Sequence, residues 1–175
     1  MISTMQLKVA MPFATDNNIA RFVQPLNDTC DEFSITTSQC QAVFLAQITV
    51  ESGSLRYVRE IADGSAYEDR TDLGNTQTGD GRRFPGRGLG QVTGRRNYTV
   101  CGLALGLDLV AQPELLEQPG PAARSAGWYW HTRNLSVVAD AGRFGTACRL
   151  WNGGFNGLDE RIISYLNARR ALGIT

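Results

Sequence analysis

The chain has 175 residues, a formal net charge of zero, and 42% hydrophobic against 19% charged residues. This composition excludes extended disorder and predicts one globular domain over residues 1–175, which we expect to be a monomer. Because the net charge is zero, no general attraction to nucleic acid or anionic membranes is expected. No apolar run approaches the roughly 20 residues of a membrane-spanning helix, so no span is predicted.

The first half of the chain predicts helices. The pattern over residues 16–33 is helical, and Pro25 is expected to divide it into two short helices, since proline fits best in a first turn. The segment TTSQC supplies hydroxyl caps for a helix over residues 38–52. The apolar stripe of that helix continues to Glu51, and Gly53 is a natural helix stop. Glu51 is therefore predicted to point toward the core side at the last helical turn.

Residues 62–96 show no helical period and are rich in Gly, Asp, Asn, Thr and Arg, which indicates a long functional loop. Helical patterning returns after Asn97, where Leu103, Leu107 and Val110 fit one face. The segments AARSAGWYWHTR, SVVADAG, RFGTACRLWNG and GLDERIISYLNARRAL continue it. The fold class predicted from these patterns is mainly α, with a long irregular insertion after the third helix.

The N-terminal segment and the cysteines bear on location and on metals. The segment MISTMQLKVAMPFATDNN lacks the continuous apolar core of a signal peptide, so synthesis in the cytoplasm is expected. No CxxC pair is present, which argues against zinc, and neither a metal nor a cofactor is predicted. Cytoplasmic synthesis favours free thiols over disulfides, although the sequence leaves both open. The residues concerned are Cys30, Cys40, Cys101 and Cys148.

Two glutamates in ITVESGSLRYVRE are candidate catalytic carboxylates. Glu51 and Glu60 are nine residues apart, which on one helix would place them on opposite faces. They can face one cleft only if the helix stops near Gly53 and the chain turns. Arg56 and Arg59 are expected to favour the ionised form of Glu60. Two carboxyls with different roles, one acid and one base or nucleophile, are what glycoside hydrolysis requires.

The loop that follows carries polar and aromatic groups suited to sugars. Neutral amide and hydroxyl groups bind sugar hydroxyls and N-acetyl groups, and aromatic rings offer faces to sugar rings. The candidates are Gln91, Thr93 and Asn97 for polar contacts and Tyr67, Phe84 and Tyr98 for ring faces. A phosphate-binding loop is not indicated, because no GxxxxGK[ST] sequence is present.

Four segments together resemble glycoside hydrolase family 19, and more narrowly its small bacterial and bacteriophage endolysin branch, alongside the family's chitinases. They are FLAQITVESGSLRYVRE, DLGNTQTGDGRRFPGRGLGQVTGRRNY, GWYWHTRNLSVVADAG and RLWNGGFNGLDERIISY. The resemblance implies a lysozyme-like, two-lobed helical fold with a groove between the lobes. It also implies Glu51 as general acid and Glu60 as general base. The groove positions it implies are Gln91, Thr93, Asn97, Asn152 and Arg161.

This resemblance implies an enzyme that hydrolyses β-1,4 bonds in peptidoglycan glycan strands with inversion. Synthesis in the host bacterial cytoplasm and release through a holin would then precede action on the cell wall. Three alternatives stay open: a chitinase of the same family, a lytic transglycosylase, and an inactive glycan-binding module. Val50 departs from the histidine that many relatives carry before the acid, and Pro85 and Gly90 also look unusual.

Other residues favour structural roles. His131 stands alone among histidines, so a packing or hydrogen-bonding role is expected. The aromatic run of Trp128, Tyr129 and Trp130 is assigned to the core rather than to a sugar platform. An arginine cluster at positions 82, 83, 87, 95 and 96 fits equally a solvated loop face and an attraction to an anionic cell-wall polymer.

Overall fold

A computed structural model describes residues 1–174. The helices are α1 (Thr4–Ala10), α2 (Asp16–Glu32), α3 (Ser38–Glu51), α4 (Asp80–Arg83), α5 (Arg95–Leu105), α6 (Pro119–Thr132), α7 (Leu135–Asp140), α8 (Phe144–Asn152) and α9 (Leu158–Ala171). Short 3₁₀ helices occupy Ser65–Tyr67, Thr71–Leu73 and Pro113–Glu117. The mainly α prediction is confirmed. In the described part of the chain, no helix has the length and apolarity needed to cross a membrane.

Helix α2 is continuous, so the predicted division at Pro25 is wrong. Proline in a helix interior costs about 3 kcal/mol, because it removes a hydrogen bond to the carbonyl four residues earlier. That carbonyl belongs to Arg21, an exposed residue. The opposite face buries Ile19, Phe22 and Leu26 completely, and each such side chain contributes about 1.5–3 kcal/mol. Burial of this face offsets the cost of the proline.

Helix α5 ends earlier than the sequence pattern predicted. Gly106 adopts a left-handed conformation with φ of 68° directly after Leu105 and terminates the helix. Leu103 is 80% exposed, whereas Leu107 and Val110 lie beyond the helix and pack against a small core. The predicted single face of Leu103, Leu107 and Val110 is therefore wrong, because a glycine helix stop separates the first from the other two.

Two hydrophobic cores define two lobes. The larger core is built around α3, which packs against α7, α8 and α9 and buries Phe44 beside Trp130. The smaller core contains Phe84, Tyr98 and Leu116 and lies under the irregular loop and α5. Helix α6 contacts elements of both lobes. This arrangement leaves the loop of one lobe facing the C-terminal end of α3 from the other.

Polar contacts order the loop between the lobes. Asp80 is 1% exposed and accepts backbone N–H bonds from Thr76 and Gln77. Arg95 adds a bidentate contact at 2.9 and 2.5 Å, and its hydrogen bonds hold the pKa of the Asp80 carboxyl below its usual range. A charge-assisted bidentate pair of this kind is among the stronger polar contacts in proteins. The loop therefore has a fixed conformation despite its small core.

All four cysteines are buried free thiols, as the expected cytoplasmic synthesis favoured. Burial raises the pKa of Cys30 and of Cys101 to about 12. Burial also raises the pKa of Cys40 and Cys148 above the usual value. Thiols that stay protonated are weak nucleophiles, so these side chains act in packing, and those of Cys40 and Cys148 also take part in hydrogen bonds.

Candidate active-site groove

The chain turns sharply after α3, as a shared cleft for the two glutamates requires. Gly53, Ser54 and Leu55 all have left-handed φ values, between 55° and 64°. The hydroxyl of Ser52 accepts a 2.8 Å hydrogen bond from the Leu55 amide and so closes this turn. Non-glycine residues in this region are strained, and such strain is found mostly at functional sites. The turn separates Glu51 from the segment that carries the second carboxylate.

Glu51 lies at the end of α3, and two buried side chains donate hydrogen bonds to its carboxylate. Arg161 donates from Nη2 to Oε1 of Glu51 at 2.5 Å, and the indole Nε1 of Trp151 donates to the same oxygen at 3.1 Å. Arg161 also donates to Oε1 of Gln47 at 2.6 Å, and its side chain is 4% exposed. Arg161 was expected to contact the sugar directly. In the structure it is buried behind Glu51 and contacts that carboxylate, and its role in sugar binding stays a prediction.

Glu60 is held by neutral donors. Its Oε1 accepts a 2.7 Å bond from the Gly86 amide, and its Oε2 accepts a 2.9 Å bond from the Tyr67 hydroxyl. Burial, reinforced by the hydrogen bond to Glu60, raises the pKa of Tyr67 above its usual value. A Cβ atom at Gly86 would lie 2.6 Å from Oε1 of Gln91, so a larger residue there would displace the Gln91 side chain. The Gly86 amide and the Tyr67 hydroxyl together orient both oxygens of Glu60.

The arginines beside Glu60 in sequence contact other groups. The Nη1 atom of Arg59 lies 3.9 Å from Oε1 of Glu117. Arg56 stacks over the Tyr57 ring, with its guanidinium carbon 5.4 Å from the ring centre. Among the described residues, the hydrogen-bond donors to the Glu60 carboxylate are the Tyr67 hydroxyl and the Gly86 amide, and neither arginine is one of them. Arg59 and Glu60 are neighbours in a short extended stretch, where successive side chains point to opposite sides.

Three adjoining depressions form a groove along this face. The first, of about 390 Å³, is lined by Glu51, Glu60, Gln91, Tyr57, Arg59 and Ile61 among others. The second, of about 250 Å³, includes Glu51, Gln91, Tyr129, Trp151 and Asn152. The third, of about 220 Å³, includes Gln91, Thr93, Asn97, Trp128, Tyr129 and Arg133. Gln91 belongs to all three, and its φ of 48° marks a strained centre.

The groove brings together most of the predicted polar residues. Gln91, Thr93, Asn97 and Asn152 all line it, and each is partly exposed. Internal hydrogen bonds restrict these side chains; one example is the 2.8 Å bond from Asn97 Nδ2 to the Thr93 carbonyl. Tyr67 belongs to the same site through its bond to Glu60. Roles of these side chains in sugar binding remain predictions.

The sequence analysis predicted that Trp128, Tyr129 and Trp130 all belong to the core. Trp130 is 1% exposed and belongs there, whereas Trp128 and Tyr129 are half-buried and line the groove. The alanines at 122, 123 and 126 share the buried face with Trp130. Because three and four residues bring a helix back to the same face, that stripe could have shown that Trp128 points elsewhere. The sequence analysis also did not identify Trp151 as a residue of the groove.

The arginine cluster of the loop is engaged with the protein itself. Arg82 pairs with Asp63, Arg83 donates to the Val110 and Ala111 carbonyls, Arg87 pairs with Glu117, Arg95 with Asp80, and Arg96 donates to the Asp72 carbonyl. These contacts favour the structural account over an open basic patch. His131 is exposed, with its ring centre 6.1 Å from that of Phe33, a contact that fits the expected packing role.

Two carboxylates facing a polar groove between helical lobes define the class of lysozyme-like glycosidases. Comparison of the sequence with models of known protein families identifies the family. The model of the class I chitinases, glycoside hydrolase family 19, matches residues 27–139, and the chain belongs to this family. An endochitinase of Arabidopsis thaliana is 38% identical over 141 residues, which cover 77% of this chain and 48% of that protein. A family 19 domain-containing protein of Haemophilus influenzae is 35% identical over 66% of this chain and 54% of its own.

Solved structures agree on the fold. Chitinase C from Streptomyces griseus superposes with a TM-score of 0.82 and 25% identity over 99% of this chain and 77% of its own. A bacterial family 19 chitinase gives a TM-score of 0.80, again at 25% identity, over 99% of this chain and 96% of its own. The predicted lysozyme-like helical fold is confirmed. The chain spans about half the length of the curated relatives it matches.

Proposed function

We propose that this protein hydrolyses β-1,4 bonds in the glycan strands of peptidoglycan, with Glu51 as general acid and Glu60 as general base. The observation that carries the glycosidase activity is that both carboxylates line one depression, each oriented by its own donors. Family membership supports the same reaction class. The choice of peptidoglycan rests on the likeness of the four sequence segments to the endolysin branch.

The surroundings of Glu51 suit an acid that becomes charged during the reaction. Both hydrogen bonds from Arg161 and Trp151 end on Oε1, so Oε2 is the oxygen assigned to carry the proton toward the glycosidic oxygen. When the proton leaves, a negative charge develops on the carboxylate. Arg161 is already positioned to stabilise that charge without rearrangement, and preorganised stabilisation of this kind is usually a large catalytic contribution.

Glu60 is assigned the activation of water. The bonds from the Gly86 amide and the Tyr67 hydroxyl fix the plane of its carboxylate, and lone pairs remain to accept a proton from water. The activated water attacks the anomeric carbon on the face opposite the leaving group, which inverts its configuration. Neither role requires a metal or a cofactor.

Sugar binding is assigned to the remaining groove wall. The amides of Gln91, Asn97 and Asn152 and the hydroxyl of Thr93 offer donors and acceptors for N-acetyl and hydroxyl groups. The half-buried ring of Trp128 offers an apolar face at the end of the groove away from Glu60. In this proposal the enzyme acts as a monomer, reaching the wall from a bacterial cytoplasm through a holin-type pore.

Chitin is the second candidate substrate. It is favoured by the relatives, which are named endochitinases, and by the solved neighbours, which are named chitinases. Chitin and peptidoglycan strands share β-1,4-linked N-acetylated sugars, so the same two carboxylates would cleave either polymer. Peptidoglycan strands differ in the lactyl ethers and stem peptides on alternate sugars, which carry carboxylates that chitin lacks.

The test is digestion of purified peptidoglycan and of chitin oligosaccharides, followed by mass spectrometry of the products. We expect hydrolysis of peptidoglycan, with one water added to the fragments for each bond cleaved. Cleavage of chitin oligosaccharides with intact peptidoglycan would establish the chitinase instead. Products with 1,6-anhydro ends, lighter by one water, would establish a lytic transglycosylase. Glycan binding without cleavage of either polymer would leave the inactive glycan-binding module.

A further inference from the structure

Arg133 occupies the end of the groove farthest from Glu60. It follows the last residue of α6 and lines the third depression with Trp128, Asn97 and Tyr129. Its guanidinium carbon lies 3.4 Å above the centre of the Tyr129 ring, and its Nη1 donates to the Thr132 hydroxyl at 3.3 Å. Stacking on an aromatic face fixes the plane of a guanidinium and leaves its edge available for a planar anion.

No carboxylate neutralises this arginine within residues 1–174. Eight ion pairs are found there, and Arg133 belongs to none of them. The other arginines of the site differ: Arg161 pairs with Glu51, and Arg59 approaches Glu117. Among the described residues, the lining of the third depression also contains no acidic side chain. Among the described residues, the groove therefore ends in an oriented positive charge without a carboxylate partner.

The neighbours of Arg133 suit a sugar that carries an amide as well as a charge. Asn97 and Thr93 offer neutral hydrogen-bonding groups, and Trp128 offers a ring face. Gln91 and Tyr129 belong both to this depression and to the one that contains Glu51. A sugar bound beside Arg133 would thus belong to the same strand as the bond under attack, and close to it.

We propose that Arg133 is a specificity-determining residue that binds a carboxylate carried by the lactyl-bearing sugar of the strand. The carboxylate is either that of the lactyl group itself, in peptide-free strands, or that of the stem peptide attached to it. This proposal rests on the proposed function, since chitin carries no such group. A guanidinium edge binds a carboxylate in bidentate fashion, which distinguishes charged strands from neutral ones.

The test compares kcat/KM of the wild type, Arg133→Gln and Arg133→Lys on matched soluble substrates. These are peptide-free strands, the same strands with their carboxylates converted to methylamides, peptide-bearing strands, and chitin oligosaccharides. We expect Arg133→Gln to lose about tenfold on the charged strands, the scale of one charge-assisted contact at an exposed site. On methylamidated strands and chitin it should match the wild type. Arg133→Lys should lose less, because it keeps the charge without the fork.

Arg149→Gln is the matched control, because Arg149 is an exposed arginine on α8. It should leave all rates unchanged. A loss for Arg133→Gln on peptide-free strands identifies the lactyl carboxylate, and a loss confined to peptide-bearing strands identifies the stem peptide. Equal losses on charged and neutral substrates would overturn the proposal, as would wild-type rates on every strand.

A binding measurement separates this inference from the proposed reaction. Calorimetric titration of Glu51→Gln and of the double variant Glu51→Gln/Arg133→Gln with peptide-free and peptide-bearing strands does not depend on cleavage. About tenfold weaker binding of the charged strand by the double variant, absent with the corresponding methylamidated strand, supports the role of Arg133. If the wild type cleaves no strand, the proposed function fails, whereas equal affinities of the two variants refute the inference alone.

Discussion

The two glutamates of the groove are held in opposite ways. Glu51 ends a buried helix of the larger lobe and contacts a cation and an indole. Glu60 lies on an irregular segment and contacts a backbone amide and a phenol, both neutral. One carboxylate is supported by distant helices and the other by the loop that closes the groove.

This difference matches the two proposed roles. An acid passes from neutral to charged as it reacts, so a nearby buried cation stabilises the product of its proton transfer. A base passes from charged to neutral, and donors that orient it without neutralising its charge leave it able to accept a proton. Single substitutions of Glu51, of Glu60 and of the residues that contact them are therefore expected to have different effects on the reaction.

The largest effect is expected from Glu51→Gln. The amide keeps an oxygen that can accept from Arg161 and Trp151, so the fold should be retained. The proton donor is lost, and activity should fall by at least about a hundredfold. The measurement is initial rate on a soluble strand fragment together with a thermal melting curve. An unchanged rate with an unchanged melting temperature would remove Glu51 from the mechanism.

Glu60→Gln should be nearly as damaging, and it sharpens the comparison through rescue. A small anionic nucleophile such as azide needs no general base, so it should restore part of the rate in this variant. The product would then be a glycosyl azide, detectable by mass spectrometry. Azide should not rescue Glu51→Gln, which lacks the acid. Full activity of Glu60→Gln without azide would favour a single-glutamate reaction.

Arg161→Met tests the support of Glu51. The change leaves the Glu51 carboxylate and the Gln47 amide oxygen without their shared donor. Breaking a buried pair from one side costs about 3 kcal/mol, and the partial exposure of Glu51 places the expected loss at about 2 kcal/mol. The free energy of unfolding in denaturant is the measurement.

Arg170→Met, an exposed change on the same helix, serves as control and should stay within about 0.5 kcal/mol of wild type. The rate of Arg161→Met should also fall by about tenfold, since the charge that develops on Glu51 loses its stabilising cation. Wild-type stability combined with a wild-type rate would show that the Arg161 contact is dispensable.

The half of the site that depends on local pattern was predictable from sequence. The cap, the apolar stripe and the glycine stop all lie between residues 37 and 53. They predicted where α3 ends, and the Thr37 hydroxyl does accept from the Cys40 amide at 3.0 Å. The position of Glu51 at the edge of a buried helix followed from these signals alone.

Contacts between distant segments could not be predicted from local sequence signals. Trp151 and Arg161 lie 100 and 110 residues after Glu51, and they reach it because α8 and α9 pack on α3. No period within α9 shows that one of its arginines is buried. Pro25 illustrates the same limit, because tertiary burial outweighed a local preference against proline.

The smallest effect is expected from Tyr67→Phe, and it tests which neighbour keeps Glu60 ionised. The raised pKa of Tyr67, caused first by burial and then by its bond to Glu60, means that the phenol keeps its proton through the acidic and neutral range. It therefore donates to Glu60 at every pH at which the enzyme would work, and this contribution is lost only above pH ~10.

A hydrogen bond to a carboxylate favours its ionised form, so removing the donor should move the acid limb of the rate–pH profile to higher pH. The rate at the optimum should fall by about threefold to tenfold, the scale of one lost hydrogen bond, and the alkaline limb should stay in place. Arg59→Gln is the matched comparison, because Arg59 is adjacent in sequence yet contacts Glu117. It should move the acid limb less than Tyr67→Phe does. A larger shift for Arg59→Gln would mean that charge at a distance, and not the phenol in contact, controls Glu60.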